Sequence, residues 1–273
     1  MSTVSDSTSA ASSLHCVTID VEEFYHIEAA HGVIGRDQWW DWPSRVDANV
    51  DRLLDLLDRL NRRATFFILG DVLRRTPGIA SRVADAGHEV ALHGTNHDRL
   101  HRLNAESFRD DLLTSKHLLE AETGRPVVGY RAPTFSIVPE TAWAVDVLVE
   151  AGFLYDASIF PVQHPWYGVP SAPDRPFWVR GRENGVKLLE IPALTWRPGG
   201  LLGGALGGRK LAVAGGGYFR LLPLWLMKRG LRQAEAEHRP AALYFHRWEL
   251  DPHIPPMPPP ATGRLRTTTG PRP

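Results

Sequence analysis

Apolar residues along this chain gather into short runs that alternate with longer striped segments. Leu14–Asp20, Ala64–Leu69, Glu89–His93, Val127–Arg131, Phe153–Asp156, Val186–Ile191 and Ala242–His246 are short and apolar, several of them rich in β-branched residues. Runs of that length, bounded by turn residues, predict buried strands. The segments between them repeat at helical spacing. Val50, Leu53, Leu54, Leu57 and Leu60 mark a helix over 47–60, with Asp47 favouring its N-terminus. Further helices are expected up to about Ala86, restarting at Pro77 and stopped by Gly87, and over 105–122, ended by Gly124. Two more are expected over 139–150, opened by Pro139 and ended by Gly152, and over 219–237.

Strand and helix alternate about seven times, which predicts an α/β fold: a distorted seven-stranded (β/α) barrel, TIM-like. Two insertions interrupt it. One is a hairpin over 177–192 that turns at Asn184-Gly185. The other is a glycine-rich loop over 201–217, expected to be mobile. Residues 161–176, rich in Pro and aromatics, read as a long surface loop. Residues 1–13 (Ser, Thr, Ala) and 253–273 (Pro, Thr, Gly, Arg) read as disordered flanks, leaving 14–252 as one domain.

In such barrels chemistry sits at the C-terminal ends of the strands. Asp20, His93, Arg131, Asp156 and His246 each fall at a predicted strand end. His93 and His97 stand four apart in His-Gly-Thr-Asn-His. They face one way if the turn continues as a helix, and two imidazoles so placed can share one divalent ion, most often zinc. A zinc peptidase would need a glutamate after the first histidine, where this chain has Gly94.

Composition narrows the options. The 273 residues carry 31 basic and 31 acidic side chains, so no basic field supports nucleic-acid binding. Cys16 is the single cysteine, which excludes an internal disulfide and fits a reducing compartment. The first residues lack the basic and apolar regions of a signal peptide. The best apolar run, Tyr218–Met227, is too short to span a membrane and is broken by Arg220 and Pro223. Both features point to the cytoplasm.

Five pieces together resemble the polysaccharide deacetylase (NodB-homology, chitooligosaccharide deacetylase-like) family: Thr18-Ile-Asp20, His93-Gly-Thr-Asn-His97, Arg131-Ala-Pro133, Asp156-Ala-Ser158 and Leu243-Tyr-Phe-His246. Within it the chain is most similar to exopolysaccharide deacetylases that accompany exosortase systems. That match rests on Asp20-Val-Glu-Glu-Phe-Tyr-His26, on the stretch Gly215–Pro223, and on His246-Arg-Trp-Glu-Leu-Asp-Pro252.

The resemblance implies a metal-dependent hydrolase that removes N-acetyl, or O-acetyl, groups from a polysaccharide or oligosaccharide. It also implies a place beside an inner-membrane polysaccharide assembly system. Asp20 would be the base, His246 the general acid, and a divalent ion, Zn²⁺ first, would be held by His93, His97 and a carboxylate. The family's first motif has two adjacent aspartates, and here Val21 stands second. Glu22, two residues from Asp20, is the expected ligand, with Glu23 as the alternative. Arg131 would pair with Asp20 and keep it ionised. Asp156 would orient His246 and raise its pKa, or hold substrate. Pro133, a backbone N–H near Thr134, and Trp248 would serve the substrate, and Trp166 and Trp196 fall near the site loops.

His26 and His164 lie near the rim without a role. Rival readings are a metal-free hydrolase of a cyclic amide or ureide, as in the allantoinase-like branch, and an inactive glycan-binding relative.

Overall fold

The computed structural model describes residues 15–251 and 253, apart from 29, 31, 32, 183, 184 and 206. The expected disordered flanks lie almost wholly outside these residues, as does the Asn184 turn position. The strands are β1 (Cys16–Val21), β2 (Thr65–Ile68), β3 (Glu89–Leu92), β4 (Gly129–Tyr130), β5 (Tyr155–Asp156), β6 (Phe177–Arg180), β7 (Lys187–Glu190), β8 (Thr195–Trp196), β9 (Leu211–Ala212) and β10 (Ala242–His246). The helices are α1 (Val46–Arg59), α2 (Gly70–Arg75), α3 (Ile79–Asp85), α4 (Ala105–Thr123), α5 (Ala144–Glu150), α6 (Gly200–Ala205), α7 (Gly217–Leu221) and α8 (Leu224–Ala236).

The main sheet runs β10-β1-β2-β3-β4-β5-β7-β6. The seven expected strands are its seven parallel members, and β6 is the antiparallel outer strand of the inserted hairpin. The sheet curls into a deformed barrel, and the chain beyond β7 spans the remaining gap. Ala193 bridges Ala242, and Leu194 N–H donates to the Ala242 carbonyl at 2.9 Å. Gly215 bridges Tyr244, which donates its N–H to Ala214 and accepts from Gly216. The glycine-rich stretch expected as a loop therefore carries α6 and β9 and helps close the barrel.

Strand alternation sorts the side chains. On β1, Ile19 and Val21 face outward into the core shared with α1–α5. On β2, Phe66 and Ile68 join that core. Phe67 instead points into the barrel with the small residues Ala91 and Ala157, which leaves room for the Arg131 guanidinium, 4.2 Å over the Phe67 ring. A second apolar cluster joins Phe160, Trp196, Val213, Ala234 and Tyr244 on the far side.

Prolines mark where three of the expected helical stretches divide or begin. The stretch after Leu69 divides at Pro77 into α2 and α3, and Pro223 separates α7 from α8. Pro139 opens only a 3₁₀ turn, Pro139–Thr141, ahead of α5. At Pro77 and Pro223 the ring removes an N–H donor and clashes with the preceding turn, whereas Pro139 stands at the first position, where no such clash arises.

Gly215 has φ +142°, and a Cβ there would lie 1.7 Å from the Tyr244 carbonyl oxygen. Gly215→Ala should destabilise the chain by more than about 1 kcal/mol. The urea midpoint measures this, and an unchanged midpoint would show that the closure contributes little.

Candidate metal and acid–base site

Four parallel strands deliver the polar residues to one mouth. β1 carries Asp20 as its penultimate residue and leads directly to Glu22. β3 leads to His93, β4 to Arg131, and β10 ends in His246. They line a cleft of about 150 Å³, with Trp248 and Trp166 on its walls.

Glu22, His93 and His97 form the heart of it. One ligand atom from each lies within 4.8 Å of the others, and all three residues are buried. His97 Nε2 is 2.8 Å from Glu22 Oε2, and His246 Nε2 is 3.4 Å from Glu22 Oε1. Neither Glu22 oxygen makes a hydrogen bond of good geometry, although both are sealed from solvent. A buried carboxylate left in this way beside imidazoles suits a shared cation. The His93 ring agrees. Its Nδ1–H donates to the Arg131 carbonyl at 2.8 Å, leaving Nε2 as the ligand atom.

The histidine pair is not on a helix. Gly94 and His97 adopt left-handed backbone (φ +78° and +58°), and the two rings meet nearly edge to face, 5.4 Å between centroids. The loop is held at its middle instead: Thr95 N–H donates to Asp111, and the Thr95 hydroxyl meets Ser115 at 2.6 Å. Glu23, the alternative ligand, turns away. Its carboxylate accepts from the Arg247 guanidinium, the Ser44 hydroxyl and the Arg45 N–H.

Asp20 is buried beside Arg131, whose Nη1 donates to it at 2.7 Å and to the Thr18 hydroxyl at 2.8 Å. Arg131 Nε donates to the Ala157 carbonyl, so the guanidinium is fixed at both ends. His246 stacks on Trp248, 4.5 Å apart at 11°. Its ring Nδ1 and its backbone N–H both face the Glu249 carboxylate, at 3.3 and 3.2 Å.

The electrostatics follow from burial and neighbours. Burial alone would raise the Glu22 carboxyl, but His97, then His246 and His93, hold it well below the ordinary carboxylate range. Burial lowers His93 to about 4. Burial would also lower His246, yet Glu249, with help from Glu22 and Asp20, raises it to about 9.

Asp156 takes a different place from the one expected. It accepts from the Ser158 hydroxyl and N–H and pairs with Glu190, not with His246. Glu249 occupies the orienting position, three residues after His246 on a 3₁₀ turn. A carboxylate at i+3 was the sequence signal for it. Glu190 was signalled by the strand-end rule itself, since it closes β7. Trp196 is buried in the second apolar cluster rather than the cleft. Pro133 packs behind Gly94, while Ala132, Thr134 and Phe135 reach the lining.

Known proteins give this architecture a family. Residues 37–153 match the polysaccharide deacetylase family, and residues 157–270 match a domain of unknown function (DUF3473). Over residues 37–153 the chain carries a polysaccharide deacetylase domain. It is 28% identical over 185 residues to a peptidoglycan deacetylase of Helicobacter pylori, covering 61% of this chain and 62% of that protein. It is 37% identical over 112 residues to a peptidoglycan deacetylase-like protein of Gibberella zeae, covering 40% and 32%. These matches span about a third to three-fifths of those relatives.

A solved structure described as a candidate polysaccharide deacetylase from Mycobacterium smegmatis has the same fold, with TM-score 0.60, 23% identity and coverage of 87% and 79%. PuuE allantoinase has it too, with TM-score 0.59, 19% identity and coverage of 85% and 76%. The deacetylase match contains His93, His97 and Arg131, whereas Asp20 and Glu22 precede it and His246 lies in the second match. The two matched regions, together with β1 and the residues after it, which lie ahead of both, thus build one sheet and one candidate site.

Burial raises both carboxyls of the Asp156–Glu190 pair, so folding holds a proton there that the unfolded chain releases at its ordinary carboxyl values of 3.8 and 4.5. Stability from that proton is complete below those values and is lost as pH rises through the folded pKa. Glu190→Gln should flatten the decline of melting temperature as pH rises above the ordinary carboxyl range. A wild-type slope surviving in the variant would place the proton elsewhere.

Proposed function

We propose that this chain is a metal-dependent deacetylase that hydrolyses N-acetyl groups on an amino-sugar glycan. The observation that carries this reading is the convergence of Glu22, His93 and His97 beside an Asp20–Arg131 pair and across from His246. The names of the relatives support the substrate class: the chain is similar to peptidoglycan deacetylases, including a Bacillus cereus peptidoglycan-N-acetylglucosamine deacetylase. An exported polysaccharide is the polymer implied by the finer sequence resemblance.

Glu22, His93 and His97 would hold one divalent ion, zinc being favoured by two imidazoles and a carboxylate. When bound, such an ion polarises the acyl carbonyl and acidifies water. Asp20 takes the proton of the attacking water, with Arg131 fixing its carboxylate. A backbone N–H near Thr134 supports the negative charge that develops on the acyl oxygen. His246, oriented by Glu249, gives a proton to the departing nitrogen. The C–N bond then breaks to acetate and a free amine. Trp166 offers an exposed apolar face to the sugar rings, and Trp248, stacked on His246, adds to the apolar lining that would receive the acetyl methyl.

Acetate release from N-acetylated glycan oligomers by the purified protein tests this reading. Chelation should abolish release and added zinc restore it. Asp20→Asn and His246→Ala should each lower turnover by about 10²–10⁴-fold with the fold intact by circular dichroism. Full turnover in Asp20→Asn would remove the base assignment. Glu249→Gln should lower kcat while leaving KM near the wild-type value. An effect confined to KM would make Glu249 a substrate contact instead.

A further inference from the structure

Glu22 presents a positioning problem. Its carboxylate has no hydrogen bond of good geometry to hold it, so its place against His93 and His97 depends on how its backbone is anchored. One anchor is Arg247, whose Nε donates to the Glu22 carbonyl at 2.9 Å. Resting on the metal reading above, we propose that His26 and Asp71 are the second anchor, a buried positioning pair that sets the Glu22 loop in register with the His93–His97 loop.

The chain turns back directly after Glu22. His26 N–H donates to the Glu23 carbonyl at 3.0 Å, and Glu23 N–H donates to His26 Nδ1 at 2.9 Å. A backbone N–H can donate only to a ring nitrogen without a proton, so Nδ1 is bare and Nε2 carries the hydrogen. Nε2 then donates to Asp71 Oδ2 at 3.1 Å. The His26 ring is fully buried and lies edge-on to Trp39 and Tyr25, with centroids 4.5 and 4.7 Å away, which fixes its orientation.

Asp71 reaches the other loop through its main chain. At the start of α2, Asp71 N–H donates to the Thr95 carbonyl at 2.9 Å, and Gly70 N–H donates to the Gly94 carbonyl at 2.9 Å. The approach is close: a Cβ on Gly70 would lie 2.1 Å from Ser115 Oγ and 3.2 Å from Thr95 Cα. One residue therefore holds the middle of the histidine loop by its backbone and the Glu23 peptide by its side chain, through His26. Two loops that start on different strands are thereby held at one spacing. Support of this kind behind the ligands governs how tightly a metal site binds.

The test is zinc affinity of the full chain, measured by competition with a chromogenic chelator. Asp71→Ala removes the acceptor of His26. His26→Asn keeps an acceptor in place of Nδ1 but cannot reach Asp71. Each should weaken zinc binding by about 10–100-fold. Asp71→Asn keeps a neutral acceptor for Nε2–H and should stay near wild type. Leu148→Ala, in the buried face of α5 away from the site, should lower stability without moving zinc affinity.

Wild-type protein that takes up no zinc overturns the metal reading itself. Wild type that binds zinc while Asp71→Ala and His26→Asn bind it equally tightly overturns the positioning pair alone. So does an equal loss in Leu148→Ala, which would mark a general loosening. If Asp71→Ala does not fold, His26→Asn decides by the same criterion.

Discussion

Burying charge without leaving it unpaired is the constraint on which this molecule depends. Asp20, Glu22, Glu23, Arg131, His93 and Arg247 are all shut away from solvent at the barrel mouth. An uncompensated buried charge is strongly destabilising, so each must find a partner of opposite sign or a matching dipole. The chain meets the constraint in layers. Arg131 takes Asp20, Arg247 takes Glu23, and Asp251 takes Arg45 just outside. Glu22 alone is answered only by imidazoles. In the proposed reading the divalent ion would sit at that exception, where the carboxylate faces the rings of His93, His97 and His246 and no guanidinium.

The same constraint explains why the interior is narrow. Ala91 and Ala157 face Phe67 inside the barrel, and the Arg131 guanidinium sits over that ring. Larger residues at those two positions would displace the guanidinium and leave Asp20 buried without its partner. Packing and electrostatics are therefore one problem at the base of the cleft, with small side chains chosen to admit a large charged one.

The seven parallel strands were legible in the sequence because each is a compact apolar run closed by Gly, Pro or a polar strand end. The clustering of Asp20, His93, Arg131 and His246 followed from that, since barrel strands exit at a common face. What escaped was set by tertiary contacts. The left-handed backbone at His97 comes from Thr95 being held by α2 and α4, which no local pattern announces. Glu249 rather than Asp156 meets His246 because a 3₁₀ turn folds it back, while Asp156 is drawn to Glu190 across the β5–β7 pairing. Trp196 and Trp248 look alike in sequence, and only burial in the second core separates them. The closing role of Gly215 could not be read from a glycine-rich stretch whose composition suggests freedom.

The pairing of β1 with β10 has a consequence in time as well as in space. Arg247 grips the Glu22 carbonyl across a sequence separation of 225 residues, and Thr18 reaches Leu243 across the same distance. Contacts so far apart form late, because a long loop must close before they are rewarded. Glu22, His93 and His97 all precede β10 in the chain, and His246 is the final residue of that strand. The Arg247 anchor of Glu22 and the His246 side chain therefore reach the barrel mouth together, when β10 docks against β1.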